Sequence, residues 1–168
     1  MENELSEEFC RYTLYCVAKG LEAYHDMNLI HRSINGESVY FDREGVKIAD
    51  CSDSVFLTNK ESLRGSSAAD LLNWTRAELL PWAAPEMEKQ ESDTSYDSDV
   101  GTTSYGKEVD IWALGLFAYE LATGTIPDAS GEQVMKLLEH NDYGEIFKLP
   151  PGSRSIEYQI FIERCMQV

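Results

Sequence analysis

The chain has 168 residues, 43% of them hydrophobic, which is enough for one domain with its own core and argues against a wholly disordered polymer. Thirty acidic residues against 14 Lys and Arg give a formal charge of −16, so nucleic acid and anionic membrane surfaces are poor partners. The acidity either favours basic peptides and basic partner proteins or simply solvates the surface. No apolar run approaches the ~20 residues of a membrane span, and the acidic start is unlike a signal peptide. Four scattered cysteines (Cys10, Cys16, Cys51, Cys165) lack C-x-x-C spacing and suit reduced thiols in a cytosolic or nuclear protein.

From Ser6 to Met27, Cys10, Leu14, Val17, Leu21 and Tyr24 alternate at spacings of four and three, which predicts an amphipathic helix. Leu29-Ile30 is too short for more than a β-bridge. Ser38 to Asp42, the turn Arg43-Glu44-Gly45 and Val46 to Ala49 predict a small hairpin. Residues 50–86 have no clear period beyond a helical turn near Ala68 to Trp74, and read as a long loop. Glu88 to Ser104 is dominated by Glu, Ser, Asp and Thr, so 88–105 is expected to be a flexible acidic insertion. Val109 to Thr123 is apolar nearly all round, as a helix at a domain centre should be, and Gly124 and Pro127 end it. Helices at Gly131 to His140 and Ile156 to Met166 complete the map, and no internal repeat is visible.

His31-Arg32-Ser33-Ile34-Asn35-Gly36-Glu37-Ser38 resembles the protein-kinase catalytic loop, H-R-D-x-K-x-x-N. Five further pieces stand in the same order. Ala18-Lys19-Gly20-Leu21-Glu22-Ala23-Tyr24-His25 is similar to K-G-L-x-Y-L-H, and Val46 to Ser52 resembles the strand leading into D-F-G. Trp82-Ala83-Ala84-Pro85-Glu86 resembles W-M-A-P-E, and Val109 to Gly115 resembles the D-x-W-x-x-G opening of the family's central helix. Phe161 to Met166 resembles F-V-x-x-C-L near the end. The wording is closest to serine/threonine kinases of the germinal-centre-kinase type.

The resemblance implies a protein-kinase-like C-terminal lobe over 1–168, mainly α with a small β-hairpin, an activation-segment-like loop at 50–86, and no N-terminal lobe. No Gly-rich loop or strand lysine of the V-A-I-K kind stands in the sequence. It also assigns roles. His31 would pack beneath the site, Arg32 would pair with nearby carboxylates or capture a loop phosphate, and Asp110 would accept N–H bonds from the catalytic loop. Glu86, Trp112 and Gly115 would hold the activation segment and central helix. These are architectural, and all are retained.

The positions that carry chemistry differ. Ser33 stands where the family's aspartate accepts the substrate proton, Asn35 where a lysine steadies the phosphoryl group, and Ser38 where an asparagine holds magnesium. Leu79 replaces a bridging threonine, Cys51 a phenylalanine and Ser52 a glycine that tolerates positive φ. Asp50 remains as a vestigial Mg-ATP ligand, an oxygen donor of the kind magnesium prefers. Cys51 is expected to play a buried apolar role, with a reactive thiol as the other reading. Loss of a general base costs about 10²–10⁴ in rate. The pattern therefore points to a pseudokinase that binds protein partners as a scaffold, with no resident cofactor, or Mg-ATP if nucleotide binding survives. The alternatives are part of an active serine/threonine kinase, or an ATP-binding module without turnover.

Overall fold

The computed structural model describes residues 5–57, 84, 106–126 and 143–167. The expected helix at 131–140, the acidic insertion at 88–105, Leu79, Glu86 and most of the 50–86 loop lie outside these residues. The described elements are helix-rich with two small antiparallel sheets.

Helix α1 (Glu7–Asp26) starts where Ser6, in extended backbone, accepts a hydrogen bond from the Phe9 N–H at 3.2 Å. Glu7 and Glu8 sit in its first turn, where carboxylates complement the exposed N–H groups. Its buried face is Cys10, Thr13, Leu14, Val17 and Leu21, the stripe that the spacing predicts. Strand β1 (Leu29–Ile30) follows at once, with Asn28 turning the chain in left-handed backbone at φ 55°.

Strands β2 (Val39–Asp42) and β3 (Gly45–Ile48) form the expected hairpin, in register Val39 to Ile48 and Asp42 to Gly45. Asp42 Oδ1 accepts from the N–H groups of Glu44 and Gly45 and so closes the turn. Gly45, at φ 127°, supplies backbone that a residue with a Cβ rarely adopts.

Two details depart from the sequence-based expectation. Val55–Phe56, placed in the long loop at 50–86, is a strand, β4, and it pairs antiparallel with β1. Leu29–Ile30 is thus a paired strand rather than an isolated bridge. A two-residue strand carries no readable alternation, so its partner can be found only in three dimensions.

Helix α2 (Glu108–Thr123) is the centre of the molecule, with ten residues buried from Val109 to Ala122. It ends at Gly124, in left-handed backbone at φ 74°, whose N–H donates to the Glu120 carbonyl at 2.7 Å. A short helix, α3 (Tyr143–Ile146), absent from the sequence reading, leads to α4 (Ile156–Cys165), capped by Ser155.

α2 packs against both α1 and α4. Gly115 permits the second contact, since a Cβ there would lie 2.6 Å from that of Cys165. Trp112 and Tyr119 each meet Phe147 edge-on, at 6.2 and 5.7 Å between centroids. At one end Glu7 accepts both the backbone N–H and the hydroxyl of Ser155, and Arg154 donates to the carbonyls of Leu5 and Ala122. This polar knot ties the start of α1, the end of α2 and the start of α4. Among the described residues no helix is long and apolar enough to cross a membrane.

Candidate functional site

The loop His31–Ser38 runs from the end of β1 to the start of β2, and Asp110 of α2 organises its first half. Asp110 is fully buried. Its Oδ2 accepts from the backbone N–H of His31 at 2.9 Å, and Oδ1 from that of Arg32 at 2.7 Å. His25, from the last turn of α1, places Nε2 2.9 Å from Oδ2. A buried carboxylate is tolerable only with such partners. The sequence reading names Asp110 but misses His25, although His25 stands in the quoted stretch that resembles K-G-L-x-Y-L-H.

His31 is buried, edge-on to Tyr24. Its Nε2 lies 3.2 Å from the Ala49 carbonyl, and its Nδ1 accepts the Ser33 N–H at 3.3 Å. Those contacts call for a neutral ring protonated on Nε2. Burial pushes its pKa below the ordinary 6.5 against the pull of the nearby Asp110 carboxylate. Arg32 has φ 66°, and its Nε donates to the Asp53 carbonyl oxygen at 2.6 Å. The guanidinium also draws down the Asp53 carboxyl, which burial nevertheless raises.

Ser33 is partly buried between these groups and brings a neutral hydroxyl, not a carboxylate, to the middle of the loop. Asn35 and Ser38 are committed to each other. Asn35 Oδ1 accepts from the N–H groups of Glu37 at 2.8 Å and Ser38 at 3.1 Å. The Ser38 hydroxyl donates to the Asn35 carbonyl and accepts the Asn35 N–H, both at 3.0 Å. With Ser38 only 2% exposed, its oxygen is enclosed by the turn. The Gly36 N–H then reaches Glu120 Oε2 of α2 at 3.1 Å, and burial raises the Glu120 pKa. The loop is therefore pinned to α2 at both halves, by Asp110 and by Glu120.

Asp50 follows β3 in left-handed backbone at φ 58° and is exposed. Its Oδ1 accepts the Ser52 hydroxyl at 2.6 Å, which holds the carboxyl below its usual pKa. The unusual backbone thus falls at Asp50 rather than at Ser52, where the glycine comparison leads one to look. Cys51 is exposed, contrary to the expected buried role, because the chain turns outward between β3 and β4. All four cysteines are free. Trp112 and Gly115 are packing residues of α2, against Phe147 and against Cys165 of α4.

Magnesium prefers near-octahedral oxygen coordination. Of the two expected donor positions, Asp50 offers a carboxylate already engaged by Ser52, and the Ser38 oxygen is closed into the Asn35 turn. Of the two, only the exposed Asp50 carboxylate stays open as a donor, so the two-donor arrangement is not complete here, and among the described residues no cluster of three metal-ligating side chains exists.

The whole chain, residues 1–168, matches the family described as "Protein kinase domain". It is 30% identical to mouse Myosin-IIIb over 96% of its length, covering 11% of that protein. It is 28% identical to the serine/threonine-protein kinase CLA4 of Saccharomyces cerevisiae over 98% of its length, covering 17% of that protein. Human Myotonin-protein kinase is 27% identical over 95% of the chain, which covers 24% of it. The chain thus spans less than a quarter of each of these three relatives.

Proposed function

The chain belongs to the protein kinase domain family, and we propose that within it this chain is a module that binds protein partners without transferring phosphate. It corresponds on this reading to the family's C-terminal lobe, with the scaffold kept and the chemistry lost. The observation that carries the reading is Ser33. Its hydroxyl cannot accept a proton as a positioned carboxylate does, which removes about 10²–10⁴ in rate. The Asn35–Ser38 turn supports it further. The side chains at the lysine and magnesium-ligand positions spend their hydrogen bonds inside the loop. The retained residues His31, Asp110, Trp112 and Gly115 all serve packing or loop support.

A second reading, part of an active serine/threonine kinase, is favoured by the names of the relatives, among them CLA4. Transfer of radiolabelled phosphate from ATP to a generic basic protein separates the two. The binding-module reading expects no transfer by the wild-type chain. It expects none by Ser33→Asp either, because restoring the base leaves Asn35 and Ser38 closed on each other. Transfer by the unmodified chain, abolished by Asp50→Asn, would overturn it.

A further inference from the structure

α1 and α2 leave a groove between them of about 240 Å³, on the side of Asp110 that faces His25. Leu21 and Leu114 form its apolar floor, and both are almost fully buried. Ile111 stands beside them and is 39% exposed, the one large exposed hydrophobic residue of α2. Glu22 and Asp26, both exposed, lie along the α1 side, and His25 closes the end. The cavity is smaller than the ~300–1,000 Å³ of a site for a nucleotide or drug-sized ligand. It matches one or two side chains of a peptide.

The local charge selects among peptides. Two surface carboxylates border the groove, and the buried Asp110 carboxylate lies behind His25. Lys19, one turn back on α1, is paired with Glu22, and its charge also reaches Asp26. Asp26 borders the groove and makes no direct ion pair among the described residues, so Lys19 offsets its charge only at a distance. On a chain carrying −16 overall, this edge attracts positive charge at long range as well as at contact.

We propose that this groove docks a peptide segment of a partner protein in which an aliphatic side chain is followed closely by an arginine. The aliphatic group would cover Leu21, Leu114 and Ile111, and the guanidinium would meet the Asp26 carboxylate with the forked geometry that suits it. Binding there would press on His25, and through its bond to Asp110 on the backbone of His31 and Arg32. The inference deepens the binding-module reading by naming the class of partner. Its test contains no nucleotide, so its failure is distinguishable from failure of the phosphate-transfer test.

The probe is a fluorescein-labelled ten-residue peptide of alternating leucine and arginine, titrated with the full chain and followed by anisotropy. Two companion peptides carry serine for leucine or glutamine for arginine. Saturable binding of the first peptide is expected, weakened about tenfold or more by Asp26→Lys and by Ile111→Ser. Glu163→Lys on α4, the same charge change far from the groove, should leave it unchanged. Melting curves establish that each variant is folded. Absence of binding, or equal weakening by Glu163→Lys, would overturn the proposal in favour of diffuse attraction to an acidic surface. Equal binding of the glutamine peptide would overturn the cationic partner. A concentration-dependent dimer in sedimentation, abolished by Ile111→Ser, would assign the groove to a second copy of the chain instead.

Discussion

Single residues in the loop have outcomes set by their neighbours more than by their identity. His31 is the clearest. Buried, with Nε2 against the Ala49 carbonyl and Nδ1 taking the Ser33 N–H, it is held neutral below the usual 6.5. An unfolded chain binds a proton at this histidine in a pH range where the folded chain does not. Stability therefore rises with pH from the folded value up to about 6.5, and falls on acidification through that window. Denaturant unfolding at pH 7.5 and 5.5 should show a loss at the lower pH, and His31→Gln should flatten that dependence. Glu120 works in the opposite sense, since burial raises its pKa, so comparison with the variant is needed to isolate the histidine. An unchanged pH slope in His31→Gln would sink this assignment.

At the scale of elements, the position of α4 against α2 depends on one missing methyl group. A Cβ at Gly115 would lie 2.6 Å from the Cβ of Cys165 and 3.2 Å from the end of Met166. The methionine tip can move, but the cysteine Cβ is fixed to its helix backbone. Gly115→Ala should therefore cost about 1–3 kcal/mol through overpacking, despite the better helix propensity of alanine. Thermal melts compare it with Gly144→Ala, where a Cβ would meet nothing within 4 Å. Equal stability of the two variants would show that α4 slides without cost. The hairpin is held by Val39, Val46 and Ile48 against the core, and Phe41 of β2 also stacks on Phe9 of α1 at 5.3 Å. Since both rings are partly exposed, that contact covers surface and adds little to the core.

For the molecule as a whole, charge is the dominant unbalanced quantity. The described ion pairs, such as Lys47 with Asp42 and Glu44 and Lys148 with Glu145, are at the surface and individually worth little. They leave an excess of 16 negative charges repelling one another. Raising salt from about 0.01 to about 0.15 M shortens the screening length from ~30 to ~8 Å. The melting temperature should rise over that interval, and a fall would mean that attractive pairs outweigh the repulsion.

The same three scales separate what could be read in advance from what could not. The helix at 6–27, the hairpin, the buried central helix and the kinase-like loop were legible, because each leaves a period or a motif within a few residues. The pairing of Leu29–Ile30 with Val55–Phe56, the bond from His25 to Asp110 and the outward turn at Cys51 were not. Each joins or exposes groups in a way that no local pattern encodes.

By itself the sequence determined the family, the apolar faces and the loss of a carboxyl group at position 33, all of which are properties of residue type and spacing. Only the tertiary structure decided that Asp110 serves three donors at once, that Glu120 takes the Gly36 N–H, and that Ile111 borders an acidic groove. The physical reason is that hydrogen bonds and burial are made between elements. Which donor meets which acceptor is fixed when the helices and strands pack, not when they are written along the chain.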